Sequence, residues 1–212
     1  MDLNYNIVNI FPNSIHNLSI TDFHECKDEL VKEAYQEKES DPIGRIVSNQ
    51  GGWQSNQFDL QECESEMLRK VLMDILSEFN KNILGKNVSM KCQGWTNING
   101  PGNSNMKHNH PRCHLSGVLW IKVPKDSGVI VFHSPEIFNR FQELDCYTEE
   151  FCYNSNCYMT HDFTPNEGKI LIFPSSLEHE VMKNESNEDR ISVSFNIVLN
   201  NPPPEKQSKY SL

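Results

Sequence analysis

Three histidines fall within seven residues of this chain: His108, His110 and His114, in KHNHPRCHLSG. A fourth, His179, stands in FPSSLEHEV, just after an apolar run ending at Phe173. Imidazole suits iron, zinc, copper and nickel. His108 and His110 flank Asn109. Where a chain leaves a strand, residues i and i+2 point to the same side, so both rings can meet one ion. A ligand from a distant strand then closes a facial set of three. Three adjacent positions of an octahedral ion stay open, which suits catalysis rather than structure. An HxH alone is a weak signal, because surface histidine pairs are common. The second half of the pattern strengthens it. Beyond His179 comes an acidic, amide-rich turn, and then Arg190, Ile191 and Ser192 open a strand. Arg190 and Ser192 are again i and i+2. A guanidinium beside a hydroxyl makes a bidentate carboxylate clamp. A metal with open positions and such a clamp fit a co-substrate that chelates at one end and carries a carboxylate at the other. 2-Oxoglutarate is such a molecule.

These residues need rigid elements to hold them. After Gly85 the sequence turns β-prone, with short apolar runs between turn signals. The runs are VSMKCQGWTNI at 88–98, LSGVLWIKV at 115–123, VIVFH at 129–133, GKILIFP at 168–174 and ISVSFNIVL at 191–199. A polar Gly-Pro-Asn loop is expected over 99–107 and a long loop-like insertion over 134–163. Short strands at near-regular spacing predict a barrel or sandwich. Ahead of them, residues 22–36 place Phe23, Cys26, Leu30, Val31 and Ala34 at helical spacing, with Thr21 as a plausible N-cap. Residues 46–59 read as loop or hairpin. Residues 62–80 align Met67, Leu68, Val71, Leu72, Ile75, Leu76 and Phe79 on one helical stripe, a core face. The expected organisation is an accessory helical segment over 1–85, a β core over 86–200 and a flexible Pro-rich tail over 201–212.

Composition narrows the function. The length, 212 residues, predicts one domain with additions and allows a core without disulfides or a structural metal. Nineteen basic against twenty-nine acidic residues give a net charge of -10, which disfavours non-specific nucleic-acid binding. No run of 18 apolar residues occurs, so no membrane span is expected, and the first residues lack the pattern of a signal peptide. Seven cysteines without a CxxC read as reduced, buried thiols in a reducing, cytoplasmic setting. Residues 1–60 could supply a homodimer surface.

The motifs HNHPRCHLSGVLWIKVP, SGVIVF, EGKILIFPSSLEHEV and RISVSFNIV, in that order, together with SNQGGWQSN near the N-terminus, resemble the Fe(II)/2-oxoglutarate-dependent oxygenases. They look most like a branch of small members of that superfamily, and the resemblance spans roughly residues 46–199. It implies a mainly β fold, a double-stranded β-helix (a cupin-like jelly roll), with the helices N-terminal to it. It implies His108 and His179 as iron ligands and Arg190 with Ser192 on the distal carboxylate of 2-oxoglutarate. The cofactors implied are Fe(II), 2-oxoglutarate as co-substrate, and O2. Trp120 lies on the strand where relatives carry an aromatic near the co-substrate. The implied reaction is hydroxylation of an unactivated C–H bond in a peptide side chain or small molecule, releasing succinate and CO2.

One position departs from the family pattern. The usual motif is HxD or HxE, and here His110 holds the carboxylate position. Three neutral imidazoles leave Fe(II) its full +2, which bound dianionic 2-oxoglutarate offsets. A halogenase leaves that position small to admit a halide, and His110 would fill the space. Other third ligands are conceivable: Asp162, Asp145, or His114 if the chain turns at Pro111, since four extended residues span about 13 Å. Asn97, Asn99 and Asn196 are candidates to hold the histidine rings, and Asn196 alternates in phase with Arg190, Ser192 and Ser194. The insertion over 134–163, with Phe138, Phe141, Tyr147, Phe151, Tyr153 and Tyr158, could cover the pocket as a lid. His133 could line an entrance, and His161 similarly; His16 and His24 lie in the accessory segment and read as ordinary positions. Two other functions stay open: a three-His iron dioxygenase that uses no 2-oxoglutarate, and a non-catalytic jelly-roll binding module. The orientation of Arg190 and Ser192 discriminates the first of these.

Overall fold

The computed structural model describes residues 12–84, 88–136, 147–155 and 158–200. In chain order the elements are β1 (His16–Ser19), α1 (His24–Ser40), β2 (Asn49–Gln50), β3 (Trp53–Gln54), β4 (Phe58–Asp59), a 3₁₀ turn (Leu60–Glu62) and α2 (Glu66–Ile83). Then come β5 (Ser89–Asn99), β6 (Ser104–His108), β7 (Leu115–Lys122), β8 (Ile130–His133), α3 (Glu149–Ser155), β9 (Thr160–Phe163), β10 (Lys169–Pro174), β11 (His179–Val181) and β12 (Arg190–Asn200).

The strands form two antiparallel sheets. The major sheet has seven strands in the order β1-β10-β7-β12-β5-β3, with β4 also on β5; the minor sheet has five, in the order β2-β6-β11-β8-β9. This is the double-stranded β-helix that the resemblance implied, within the barrel or sandwich class expected from the strand spacing. The major sheet is covered on both sides. On β12, Ile191, Val193, Phe195 and Ile197 pack with Leu119, Ile121, Ile170 and Ile172 against the helices. On the other face Val118, Trp120, Leu171 and Phe173 pack with Ile130 and Phe132 of the minor sheet. The side-chain period of two makes this division. It also explains why β10 reads as a continuous apolar run: both faces are buried.

Helix α2 buries the predicted stripe, with Leu68, Leu72, Ile75, Leu76 and Phe79 inside. It starts at Ser65, whose Oγ accepts from the Leu68 amide at 2.9 Å, one of the donors a helix start leaves unsatisfied. The same hydroxyl donates to Glu33 at 2.6 Å, which ties α1 to α2.

Several local expectations are corrected. Helix α1 starts at His24, not Asp22, and continues to Ser40. Its N-cap position is Phe23, with no side-chain cap, in place of Thr21; Phe23 is buried in the core there. The segment 99–107 contains a strand, β6, which β2 and β11 pair from either side. The insertion over 134–163 holds α3 and ends in β9, which pairs with β8. Of its aromatic residues, Phe138 and Phe141 lie outside the described residues, as do Asp145 and the tail over 201–212. Over 46–59, β2 and β3 do not pair with each other. The chain leaves the minor sheet after β2 and joins the major sheet at β3. Gly51 and Gly52 make that crossing at φ +71° and +55°, a left-handed pair that side-chain-bearing residues disfavour.

Candidate metal centre and co-substrate cavity

Strands β6 and β11 are antiparallel neighbours, and the register sets His179 directly across from His108. His110 lies just beyond β6, where its backbone amide donates to the Ser175 carbonyl at 2.9 Å. The three rings therefore meet at the mouth between the sheets. Their ligating nitrogens all lie within 4.8 Å of one another, and the ring centroids are 4.5, 4.9 and 5.2 Å apart. Among the described residues no carboxylate joins this group.

Backbone carbonyls orient two of the rings. His108 Nδ1 donates to Met106 O at 2.6 Å, and His179 Nδ1 donates to Leu177 O at 2.9 Å. A carbonyl can only accept, so each Nδ1 carries the proton and each Nε2 presents its lone pair. Burial lowers the pKa of His108. Burial, then repulsion from the neighbouring imidazoles, pushes His110 down to about 3. Burial, then the charge of His108, pushes His179 down to about 4. All three are neutral at pH 7, the state that binds metal. Asn97 and Asn99, candidates for holding the rings, bond elsewhere: Asn97 donates to Ser194 Oγ at 3.1 Å and Asn99 to Asn105 at 3.3 Å.

Behind the histidines a narrow cavity of about 50 Å³ runs between the sheets. Arg190 and Ser192 line it together with all three histidines and Trp120. Arg190 is 1 % exposed. Its Nη1 donates to the carbonyls of Ser127 and, at 3.4 Å, Met182. Desolvation lowers its pKa to about 10, so it stays charged at neutral pH. Among the described residues no carboxylate pairs with it. A buried cation without a counter-ion is costly, and a protein keeps one where an anion is to bind. Trp120 is opposite Ser192 on the neighbouring strand. Val118, Ile130 and Phe173 supply apolar walls.

The other candidates fall outside this cavity. Asn196 shares the face of Arg190 and Ser192, but it accepts from Ser116 Oγ at 2.8 Å and lines a second groove on the outer side of His108 and His110. The chain does turn after Pro111, with Arg112 at φ +69°. That turn carries His114 to β12, where its Nδ1 accepts from the Leu199 amide at 3.1 Å, away from the other histidines. Asp162 is exposed on β9. His133 pairs with Glu180 at 2.9 Å, and His161 and His16 pack edge-on to Phe163 and Phe79, each at 5.0 Å. Sequence reasoning missed Trp95, whose ring is 5.7 Å from that of His110. The signal was available: Trp95, Asn97 and Asn99 alternate on β5 and all line the cavity.

Comparison with known proteins agrees with this geometry. A family model described as "Putative 2OG-Fe(II) oxygenase" matches residues 93–196, which contain the three histidines, Arg190 and Ser192. Over residues 93–196 the chain is similar to the Fe(II)/2-oxoglutarate-dependent oxygenases. It is a 2-oxoglutarate-dependent oxygenase, and its cofactors are Fe(II), 2-oxoglutarate and O2. No curated protein matches it in sequence. Solved structures share the fold. A Pseudomonas putida prolyl-4-hydroxylase superposes with a TM-score of 0.62 at 15% identity, over 89% of this chain and 94% of that one. A Trichoplax adhaerens prolyl hydroxylase in complex with a hypoxia inducible factor peptide fragment gives 0.57 at 12%, over 87% and 83%. HygX from Streptomyces hygroscopicus, with nickel and 2-oxoglutarate bound, gives 0.52 at 11%, over 88% and 82%. Among the described residues no helix is long and apolar enough to cross a membrane.

Proposed function

We propose that this chain hydroxylates an unactivated C–H bond of a peptide side chain or small molecule, converting 2-oxoglutarate to succinate and CO2. In this reading His108, His110 and His179 hold the iron, and Arg190 with Ser192 receives the distal carboxylate of 2-oxoglutarate. Trp120 forms the wall beside it, and Asn196 stands at the outer groove where substrate approaches. One observation carries the reading: three neutral imidazoles share a cavity with a buried, unpaired guanidinium. The donor set fits Fe(II), because imidazole is a good iron ligand and three donors leave open positions. The guanidinium fits a carboxylate, because no acid among the described residues satisfies it.

Bound iron and 2-oxoglutarate supply the oxidising chemistry, which joins decarboxylation of the 2-oxo acid to oxidation of the substrate C–H bond. The chain supplies position and dryness. Met106 O and Leu177 O hold the Nδ1–H groups of His108 and His179, which leaves the Nε2 lone pairs free and would let them hold the iron. Arg190 is anchored on two carbonyls and meets an anion without reorganising. Val118, Ile130 and Phe173 exclude water, which strengthens the Arg190–carboxylate attraction.

The test is succinate formation from 2-oxoglutarate with and without Fe(II), together with the visible charge-transfer absorption of the anaerobic ternary complex. Absence of both binding and turnover of 2-oxoglutarate by metal-loaded protein would remove the proposal. The location of Arg190 and Ser192 in the cavity favours this reading over a three-His dioxygenase that needs no 2-oxo acid.

A further inference from the structure

The groove outside the histidines differs in character from the cavity behind them. It shares His108, His110 and Trp95 with that cavity, so a molecule in the groove reaches the metal position from the side. Its volume is about 400 Å³. Its lining includes Arg45 and Lys107 but no carboxylate, in a chain of net charge -10. Lys107 is 3.3 Å from Glu178. Among the described residues no acid pairs with Arg45.

Arg45 is held in place. Its amide donates to Gln54 O at 2.8 Å, and its carbonyl accepts from Asn49 Nδ2 at 3.2 Å. The preceding Gly44 sits at φ +57° under Trp53, where a Cβ would lie 2.6 Å from Trp53 Nε1. The loop thus fixes the Arg45 backbone where its side chain lines the groove.

The donor set points the same way, given the function proposed above. Three neutral imidazoles leave iron its +2, and Arg190 adds one more charge. The 2-oxoglutarate dianion cancels two of the three. With a carboxylate at position 110 the loaded cavity would be neutral; with His110 it keeps one positive charge facing the groove. A substrate anion meets this charge in a low-dielectric setting, where it counts for more than in water. The rim continues outward as exposed apolar surface, with Ile46 88 %, Val47 57 % and Met106 48 % exposed. Apolar surface beyond a pocket suits a chain that extends past it, not a molecule that fits inside.

We propose that the groove binds an acidic peptide segment as the primary substrate, with Arg45 as the residue that selects its carboxylate and Trp95, Val47 and Met106 against a neighbouring apolar side chain. This rests on the oxygenase reading for the residual charge at the metal, and on the groove itself for the rest.

The test uses the full chain loaded with Ni(II) and 2-oxoglutarate, which binds without turnover. Titration calorimetry compares short synthetic peptides that share a central Leu-Pro pair and are flanked by Asp, by Ser or by Lys. The Asp peptide should bind about tenfold or more tighter than the Ser peptide, the worth of one charge-assisted hydrogen bond, and the Lys peptide more weakly than either. Arg45→Glu should erase the preference for Asp over Ser, and Arg45→Gln should reduce it, with folding of both checked by thermal melting. Equal affinities, no binding of any peptide, or a preference that survives Arg45→Glu would overturn the proposal. So would free N-acetylaspartate binding as tightly as the Asp peptide. Failure of Ni(II) and 2-oxoglutarate to bind in the same cell removes the oxygenase reading instead, while loss of the charge preference with both bound removes only this inference.

Discussion

The two faces of the major sheet share one backbone and do opposite work. Strand β12 turns Ile191, Val193, Phe195 and Ile197 toward the helices, all fully buried in hydrocarbon. Its other face turns Arg190, Ser192 and Ser194 toward the cavity. The helix face earns stability from apolar burial. The cavity face sacrifices some by burying a charge that no carboxylate among the described residues pairs with. Stability and chemistry are therefore separable along a single strand, residue by alternate residue, and mutations should separate them.

The largest effect belongs to the cavity side. His179→Ala should cost about two orders of magnitude or more in metal-dependent succinate formation, with a melting temperature close to the parent. A variant that keeps metal-dependent turnover breaks the comparison. The converse belongs to the helix side. Phe195→Ala should destabilise by about 3–5 kcal/mol, read by denaturant titration, while folded molecules keep their 2-oxoglutarate affinity.

Arg190→Met sharpens the contrast further. Removal of the unpaired charge should leave the protein no less stable than the parent, while the 2-oxoglutarate concentration for half-saturation rises about tenfold or more. A clear drop in melting temperature would mean that the guanidinium is structural.

The histidines predict a pH dependence in metal-free protein. Their usual value is 6.5, and in the fold His110 and His179 titrate at about 3 and about 4. Below pH 6.5 the unfolded chain takes up protons that the folded cavity refuses. The stability present above that pH should fall progressively as pH drops toward the folded values. His110→Phe should flatten the melting-temperature profile between those limits. The smallest effect is on the helix side: Ser65→Ala removes the α2 cap and should cost about 1 kcal/mol, with no change in 2-oxoglutarate turnover.

Legibility followed the range of the physics. The helical stripe of α2 and the alternation of β12 are local periodicities, so Leu72, Phe79, Arg190 and Ser192 were readable on their elements. The pair His108 and His110 was readable for the same reason. Strands β6 and β9 were not, because four or five polar residues become a strand only when a neighbour pairs with them. The groups that hold the rings were hidden as well. Met106 O and Leu177 O are backbone atoms that any residue carries, while the asparagines proposed for that task found other partners.

By itself, the sequence determined the alternation of the strands, the imidazole and guanidinium types at their spacings, and the lack of an acid beside His108. These are properties of covalent order and side-chain period. Only the tertiary structure decided that His179 lies across from His108, that Arg190 has no acid within reach among the described residues, and that Arg45, far earlier in the chain, sits at the groove. Those facts depend on which strands pair and on what burial excludes. Both are settled by the whole chain closing on itself, a long-range choice that no local pattern encodes.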